Sequence, residues 1–445
     1  MIRGFPGSFR DIPAGDDKGK TVKVNCSVNV PRLSRVEGHG AIRIKIKDGR
    51  VEHASWEVVE TPRFFEAILS GKRWENAPVI AGRICGICSI SHTLASIRAV
   101  ENAFSMTPTE QTRNLRLLLK HMETLQSHVL HLYFLAAPDF LGAGSVFPLI
   151  ESAPEVVARA ARLKLLANDL CDCVGGRRLH PTRTVVGGFT MLPDRKELSL
   201  FSKRLVAATA DLMQTAELFT TFGIPDFARE TEFVSLKGDG AYPFLGGSLI
   251  SSDGVEKQEH EYAGMTNEFT VSRSTSKWAR LSRESYAVGA LARLNNNFGC
   301  LHPSAGEIAS LFRLRPVCHN PYMNNIAQLV ECVHVANESA RIIDTLLDTH
   351  WDEPKQEVTP RAGRGVAAVE APRGILYHCY EFDETGHIVK ADCVIPTGQN
   401  HANIQLDLEY LAARYASEGM TDRDISLLAQ MLVRSYDPCI SCSVH

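Results

Sequence analysis

The sequence predicts a mainly α-helical protein of the α+β class: a large helical bundle with small β elements near the N-terminus and in the C-terminal third. Long segments place apolar residues at intervals of three and four, which is typical of helices with one buried face. Two shorter regions alternate apolar and polar residues, which is typical of half-buried strands. The 445 residues are 44% hydrophobic and 22% charged, and these globular values exclude disordered, collagen-like and coiled-coil proteins.

The first β element is predicted over residues 21–60, after an extended N-terminal arm at 1–20. Apolar and polar residues alternate through Val22–Val30 and Ala41–Val59. Asp48-Gly49 is a hairpin turn signal, because both residue types tolerate a left-handed backbone. We therefore expect an antiparallel hairpin in this region.

The helical core is predicted over residues 76–350, with an irregular Gly-rich insertion at 223–272. Thr109 begins a long helix with regular apolar spacing. The second β element covers 366–396, and 397–445 hold the C-terminal helices. The other predicted helices are Pro154–Val174, Lys196–Phe222, Lys277–Asn297, Asn320–His350, Gln405–Ser417 and Asp422–Arg434.

Charge and hydropathy exclude several partner classes. With 51 acidic and 48 basic residues the formal net charge is -3, which indicates no nucleic-acid partner. The longest apolar stretch, Leu115–Ala137, is interrupted by charged and polar side chains, so no direct membrane span is expected. Met1–Lys20 lacks the apolar centre of a signal peptide. We expect a cytoplasmic protein, unless a partner subunit exports it.

Two cysteine pairs have the spacing of metal ligands. They are Cys85–Cys88 and Cys439–Cys442, at opposite ends of the chain. Each CxxC turn directs two sulfurs to one side, and four thiolates suit soft metals such as nickel, iron or zinc. On spacing alone three interpretations stay open: one shared metal site, a structural zinc site, or two unrelated redox pairs. Zinc ribbons usually separate their pairs by roughly 15–20 residues, and no βαβ context favours a redox motif.

The residues around both pairs resemble the nickel–iron hydrogenase large subunit. Its N-terminal and C-terminal signatures are similar to 83–92 and 437–445, which contain the two CxxC motifs. Three further motifs match in chain order: Arg35-Val36-Glu37-Gly38-His39, Glu370-Ala371-Pro372-Arg373-Gly374 and Val394-Ile395-Pro396-Thr397. The resemblance covers most of the chain, and it implies one domain over 1–445, because the two metal-binding ends must meet.

The resemblance implies the metal ligands. In that family four thiolates hold nickel, and two of them also bridge to an iron that carries cyanide (CN) and carbon monoxide (CO). By position, Cys85 and Cys439 are terminal nickel ligands, while Cys88 and Cys442 bridge nickel and iron. Soft sulfur ligands allow nickel to change oxidation state, and the site would split H2 heterolytically.

It also implies two catalytic groups beside the metals. Glu37 is the proton acceptor beside Cys439. Arg373, which follows Pro372, points its guanidinium over the open metal face, where a fixed cation stabilises developing charge. The structural alternatives are a solvated loop carboxylate for Glu37 and an ordinary ion-pairing arginine for Arg373.

Other residues of the motifs are implied to surround the metal ligands. Thr397, with the backbone around Pro396, resembles the pocket that hydrogen-bonds a cyanide. His92, four residues after Cys88, lies on the same helical face and is placed to donate to a sulfur. Asp437 belongs to the C-terminal signature. A strand-end threonine and a hydrogen-bonded core histidine are the structural alternatives.

A second ion is implied at the C-terminus. In the family a histidine, a glutamate and a backbone carbonyl hold magnesium or iron, and the matching positions are His445, Glu66 and the carbonyl of Cys393. Oxygen ligands favour magnesium. The family's large subunits are cut after such a histidine, so we expect the mature form. A helix-face carboxylate is the alternative for Glu66.

The remaining cysteines and histidines receive structural interpretations. Seven of the 12 cysteines lack a partner at metal spacing and are expected to be buried thiols. His121, His128 and His131 share a rough helical face and are expected to be buried hydrogen-bonding groups. Ser127 stands where many membrane-associated members carry aspartate, which favours the soluble, cofactor-coupled branch.

The predicted function is the reversible oxidation of H2 to two protons and two electrons. Because the chain has no further cysteine set for a cluster, electrons must leave through an iron–sulfur small subunit, and further NAD(P), flavin or ferredoxin modules are expected. Two alternatives remain: a hydrogen-sensing subunit with the same ligands, and a non-catalytic scaffold whose four cysteines hold zinc.

Overall fold

The computed structural model describes residues 25–351, 353–416, 418 and 420–445. The arm predicted at 1–20 and the start of the first predicted strand lie outside these residues. The helices are α1 (Phe65–Leu69), α2 (Ala77–Ala81), α3 (Ser89–Ala103), α4 (Glu110–Leu130), α5 (Ala137–Phe140), α6 (Phe147–Ser152), α7 (Pro154–Gly175), α8 (Arg195–Phe219), α9 (Ala263–Thr266), α10 (Ala290–Asn297), α11 (Pro303–Leu311), α12 (Asn324–Asp348), α13 (Pro396–Tyr415), α14 (Asp422–Ser435) and α15 (Ile440–Ser443).

In the described part of the chain, four small sheets accompany the helices. Their strands are β1 (Cys26–Val30), β2 (Gly40–Lys47), β3 (Arg50–Val58), β4 (Thr184–Val185), β5 (Gly188–Phe189), β6 (Glu232–Leu236), β7 (Leu249–Ser251), β8 (Glu256–Lys257), β9 (Tyr286–Ala287), β10 (Gly363–Ala371), β11 (Gly374–Phe382) and β12 (Ile388–Val394). The predicted fold class is confirmed: helices dominate, and β1–β3 and β10–β12 form the N-terminal and C-terminal sheets. Over the described residues, no helix combines the length and apolar character that a bilayer crossing requires.

The N-terminal sheet is an antiparallel meander in the order β1-β2-β3. Asp48 and Gly49 form its predicted turn with left-handed φ values of 51° and 73°, which match the twist of a tight hairpin. One face is buried against α13 through Trp56, whose backbone N–H donates to Gln405 and whose indole N–H donates to His401 Nδ1.

The centre of the helical core is α4, which packs against α7 and α12. Thr109 caps its N-terminus, because the hydroxyl oxygen accepts the backbone N–H of Thr112. The apolar face of α4 is buried, and α12 packs against α8 on its other side. These long helices confirm the sequence prediction.

Two predicted helices are wrong at their boundaries. Only Ala290–Asn297 of the predicted 277–297 helix is helical, because β9 pairs in parallel with β6 and the Glu232 carboxylate accepts the backbone N–H groups of Ser282 and Arg283. The helix predicted from Gln405 begins at Pro396. The first turns of this helix carry buried polar side chains that hydrogen-bond the backbone of other segments. These polar residues interrupt the apolar spacing that would have predicted the helix.

The C-terminal sheet, in the order β10-β11-β12, contributes a tight turn to the molecular centre. Ala371 pairs with Gly374, which leaves Pro372 and Arg373 as the two turn residues. Gly374 has a φ of 132°, and a side chain there would collide with Val288. The glycine of the Pro372-Arg373-Gly374 motif is therefore required by backbone conformation and by close packing.

We expect His401→Gln to flatten the pH dependence of the free energy of unfolding. Burial lowers the pKa of His401 to about 3, whereas histidine in an unfolded chain titrates at about 6.5. Between these values the unfolded state binds one more proton, so stability falls as pH falls, by up to about 1.4 kcal/mol per pH unit. Glutamine does not titrate.

Denaturant unfolding between about pH 4 and pH 7 measures this slope. The exposed His53→Gln on β3 is the matched control and should leave the slope unchanged. An H401Q slope equal to that of the wild type would contradict the prediction.

Candidate metal centre

The four predicted cysteines come together at one point. Their Sγ atoms all lie within 4.8 Å of one another, and all four residues are buried. Cys85 Sγ is 3.6 Å from Cys439 Sγ, and Cys88 Sγ is 4.0 Å from Cys442 Sγ. Among the described residues, this is the group of three or more metal-binding side chains whose ligand atoms converge.

The sulfurs of Cys439 and Cys442 are joined as a disulfide, with Cα atoms 5.5 Å apart, whereas Cys85 and Cys88 are free thiols. A metal takes thiolates as ligands, so a four-sulfur metal site needs this pair reduced. The donor set fits a nickel–iron centre, because four soft sulfurs converge in a buried pocket beside a cation, Arg373.

Arg63, on a third segment of the chain, binds the backbone next to one CxxC turn and within the other. Arg63 Nη2 donates to the carbonyl of Ile84 at 2.7 Å and to the carbonyl of Ser441. The backbone N–H of Arg63 also donates to Val444 at 2.8 Å. Arg63 therefore connects the residue before Cys85 to the C-terminal turn. No spacing rule indicated this arginine.

The thiol of Cys85 has a lowered pKa. Its largest cause is the hydrogen bond with Cys88, followed by the Arg373 charge, which opposes burial, and by the N–H groups of Cys88 and Ile87 at 3.1 and 3.2 Å. The same sulfur contact and burial raise the pKa of Cys88. Ionisation is therefore easier for Cys85 than for Cys88, since the pKa of Cys85 is lowered and that of Cys88 is raised.

Glu37 lies against the C-terminal turn. Its Oε2 is 3.1 Å from Cys439 Sγ and accepts the backbone N–H of Ser441 at 3.0 Å, while Oε1 accepts the Ser441 hydroxyl. The Glu37 carbonyl accepts the N–H of Ile440 at 2.9 Å. A single residue therefore fixes the turn through its backbone and presents a carboxylate to a ligand sulfur.

Arg373 is buried beside the cysteines. Its Nε donates to the Asp437 carbonyl at 2.6 Å, Nη2 to Asp437 Oδ1 at 2.8 Å, and Nη1 to Ser127 Oγ at 3.3 Å. Burial alone would lower the pKa of Arg373, but Asp437 and the charges of Cys88 and Cys85 raise it. The cation is thus permanent. Gln328 orients Asp437 from the other side at 3.2 Å.

Thr397 contacts the site directly, whereas the hydrogen bond of His92 goes to His378. The Thr397 hydroxyl accepts the Cys439 N–H at 3.0 Å, and Pro396 opens α13 beside it. His92 Nδ1 is 3.1 Å from His378 Nε2, and its buried Nε2 has no hydrogen-bond partner. The expected His92 bond to a sulfur is not among its contacts, because the ring turns towards β11.

The residues of the predicted C-terminal ion site also meet. Glu66 Oε1 lies 3.5 Å from His445 Nε2 and accepts the Cys393 N–H at 2.9 Å. Burial would raise the pKa of Glu66, but the hydrogen bond and charge of His445, the Cys393 N–H and Lys277 hold it at about 2. A carboxylate and an imidazole therefore adjoin the C-terminal segment.

The three histidines of the α4 face are hydrogen-bonded within the protein. His121 contacts Ser339, His128 contacts Glu331, and His131 contacts Gln328. All three are buried. Their ligand atoms do not converge into a metal-binding group.

Comparison with known families identifies the class. A family model described as nickel-dependent hydrogenase matches residues 63–161 and 256–445, and one described as HoxL-like matches residues 27–61. The chain belongs to the nickel-dependent hydrogenase family.

Individual relatives agree over nearly the whole length. The chain is 34% identical over 424 residues to sulfhydrogenase 1 subunit alpha of Pyrococcus furiosus, covering 94% of this chain and 97% of that one. It is 28% identical to NAD-reducing hydrogenase HoxS subunit beta of Cupriavidus necator, covering 93% of each. An H2-reduced NAD+-reducing NiFe-hydrogenase structure superposes with a TM-score of 0.84 at 26% identity, covering 94% of this chain and 99% of that one.

The protein is the catalytic large subunit of a nickel–iron hydrogenase, an oxidoreductase that acts on H2 at a nickel–iron centre. The relatives reported above are themselves named as subunits of hydrogenases.

Proposed function

We propose that the four-sulfur pocket is the place where H2 is oxidised reversibly to two protons and two electrons. The observation that carries this proposal is the convergence of two sulfurs from each end of the chain on one buried point beside a carboxylate. Cys85 and Cys439 would hold nickel alone, and Cys88 and Cys442 would bridge nickel and iron. When bound, such a centre supplies the metal chemistry that splits H2 heterolytically and takes up its electrons.

Glu37 is the proton acceptor in this proposal. Its Oε2 lies 3.1 Å from Cys439 Sγ, which is within reach for direct proton transfer from that sulfur. Because Oε2 also accepts the Ser441 N–H, the carboxylate is held facing the sulfur while the proton moves. Glu37 is half-buried, so the proton has a short way to solvent.

Arg373 supplies a fixed cation to the same pocket. Asp437 and Ser127 hold its guanidinium before any substrate arrives, so stabilising negative charge on the sulfurs needs no reorganisation. The Thr397 hydroxyl and the Pro396 backbone would face cyanide on the iron, whose other diatomic ligand would be carbon monoxide. Glu66, His445 and the Cys393 carbonyl would hold magnesium or iron at the C-terminus.

The small subunit with iron–sulfur clusters would dock next to the Cys85–Cys88 turn. A cavity of about 240 Å³ lies there, and Gly82 and Arg83 are part of its wall. Three residues of its lining each have a buried polar atom without a hydrogen-bond partner: Trp74 Nε1, His180 Nδ1 and Thr184 Oγ1. The exposed cations Arg83, Arg177 and Lys355 outnumber the exposed Glu75 around the cavity, so an acidic segment of the partner is complementary to it.

The whole chain would form one large-subunit domain over 1–445. Electrons would pass through the small subunit to an NAD(P), flavin or ferredoxin module in the cytoplasm. This coupling is supported by an NAD-reducing relative and by Ser127 beside Arg373.

We expect purified protein, isolated with its partner, to contain nickel and iron and to show infrared bands in the cyanide and carbonyl stretching region. Both follow from a four-thiolate site with diatomic ligands on iron. Metal analysis and infrared spectroscopy measure them. Zinc without nickel would contradict the proposal and favour a scaffold, whereas intact bands with feeble turnover would favour a hydrogen sensor.

Glu37→Gln should lower H2/D2 exchange by roughly a hundredfold or more, which is the usual size of general acid–base effects. The amide keeps the shape of the side chain but cannot take up the proton from Cys439 Sγ. Nickel content and infrared bands should stay unchanged. Glu57→Gln, a half-buried carboxylate on β3 that pairs with Arg43, is the matched control. Unchanged exchange in E37Q would refute the proton-acceptor role.

Reversing two cavity charges with Arg177→Glu and Lys355→Glu should weaken small-subunit binding by about tenfold or more, because each 1.4 kcal/mol is tenfold in affinity. Like charges would then face an acidic partner segment. Titration of the separately purified subunits measures the affinity. Lys47→Glu, exposed on β2, is the control. Equal affinity for the double variant and the wild type would place the docking surface elsewhere.

A further inference from the structure

Arg293, on α10, is a fully buried arginine whose five N–H groups all have acceptors. Its Nε and Nη2 donate to the two carboxylate oxygens of Glu331 at 2.6 and 2.7 Å. Its Nη1 donates to Glu370 Oε2 at 3.0 Å. The remaining two N–H groups reach main-chain carbonyls, those of Ala371 at 2.9 Å and Pro372 at 3.1 Å. Arginine is the side chain with five donors in a rigid plane.

The two carbonyls that Arg293 binds immediately precede Arg373. They belong to the tight turn between β10 and β11, in which Pro372 and Arg373 are the turn residues. Pro372 has no N–H with which to brace this turn. The turn that carries Arg373 is therefore held by a side chain from a helix, in addition to the sheet pairing of Ala371 with Gly374.

The same ion pair is also connected to Arg373 indirectly, through α4. Glu331 Oε2 lies 2.7 Å from His128 Nε2. The residue before His128 on α4 is Ser127, whose hydroxyl accepts a hydrogen bond from Arg373. Tyr242 completes the shell with a hydrogen bond to Glu331 Oε1 at 2.7 Å. Arg293, Glu331, Glu370 and His128 are all 0% exposed.

We infer that Arg293 is a positioning residue for Arg373: it fixes the Ala371-Pro372 carbonyls through Nη1 and Nη2, and the Ser127 contact through Glu331 and His128. The inference rests on the proposed function, in which Arg373 acts as a fixed cation beside the sulfurs. A buried ion pair adds little stability compared with apolar packing. Placing the Arg373 guanidinium is the feature that apolar side chains could not reproduce.

The test is a double-mutant cycle on the assembled enzyme, with Arg293→Lys, Arg373→Lys and the double variant. Lysine keeps the buried charge but has three donors instead of five. We expect R293K to lower kcat for H2 oxidation by about 10–100-fold, as loss of a supporting contact at a metal site does. KM for H2, nickel content and the cyanide and carbonyl bands should be retained.

The cycle separates positioning from stability. If Arg293 acts through Arg373, the double variant is no slower than R373K alone, because the two changes remove one shared effect. Arg116→Lys is the matched control. Arg116 is a buried arginine that binds both oxygens of Glu101, and its effect should multiply with that of R373K. The inference would be overturned if the losses of kcat in R293K and R373K multiplied in the double variant, or if R293K alone had wild-type turnover.

A crystal structure of R293K gives a second readout that needs no activity. We expect Arg373 to lose its 2.8 Å contact with Asp437 Oδ1, and an unchanged contact would overturn the inference. If R293K does not fold, Glu370→Gln enters the same cycle and the same structural measurement. A wild type without the infrared bands would instead count against the proposed function, and the Arg373–Asp437 contact would still decide the inference.

Discussion

The structure depends on bringing two sulfurs from each end of a 445-residue chain to one buried point. Closing so long a loop costs conformational entropy, and burying thiolates costs solvation. The sulfurs alone offset neither of these two free-energy costs. The backbone is closed by Arg63, which binds the carbonyls of Ile84 and Ser441, and by Glu37, which pairs with the segment around Cys439. The charge is balanced by Arg373 beside Cys85 and Cys88, and by metal when it is bound.

The small sheets help to hold the two cysteine pairs together. The N-terminal sheet carries Glu37 just before β2 and packs on α13 through Trp56. His401 on α13 lies between the Trp56 indole and the Ser443 hydroxyl, while Ser276 donates to the Ser443 carbonyl. The last residues are therefore held from several directions, and Glu66 holds His445 at the end. The C-terminal sheet contributes the turn that carries Arg373. Glu37 and Arg373 thus stand on elements whose own positions are fixed by buried polar contacts.

Buried charges surround the site, and those nearest the sulfurs are paired. Arg373 is paired with Asp437, Arg293 with Glu331 and Glu370, and Lys120 with Glu123. Glu123 also accepts the backbone N–H of Ser91, one turn beyond Cys88. Breaking any such pair leaves an uncompensated charge in a low-dielectric interior, which is more costly than the pair is stabilising. The free-energy cost of breaking these ion pairs therefore keeps the side chains around the sulfurs in place.

The sequence by itself determined the fold class, most long helices, the hairpin at Asp48-Gly49 and the four cysteines, because periodicity, turn residues and CxxC spacing are local signals. The motifs also indicated Glu37, Arg373 and Thr397, and the family resemblance implied Glu66. Only the tertiary structure decided which residues support them. Arg63, Arg293, Glu331 and Gln328 follow no motif, since their partners lie on other elements far along the chain. The start of α13 and the extended residues before α10 were missed for the same reason, because both are fixed by contacts with residues far along the chain. Gln399 and Asn400 of α13 donate to the carbonyls of Ile375 and Val288, and the Glu232 carboxylate accepts the backbone N–H groups of Ser282 and Arg283.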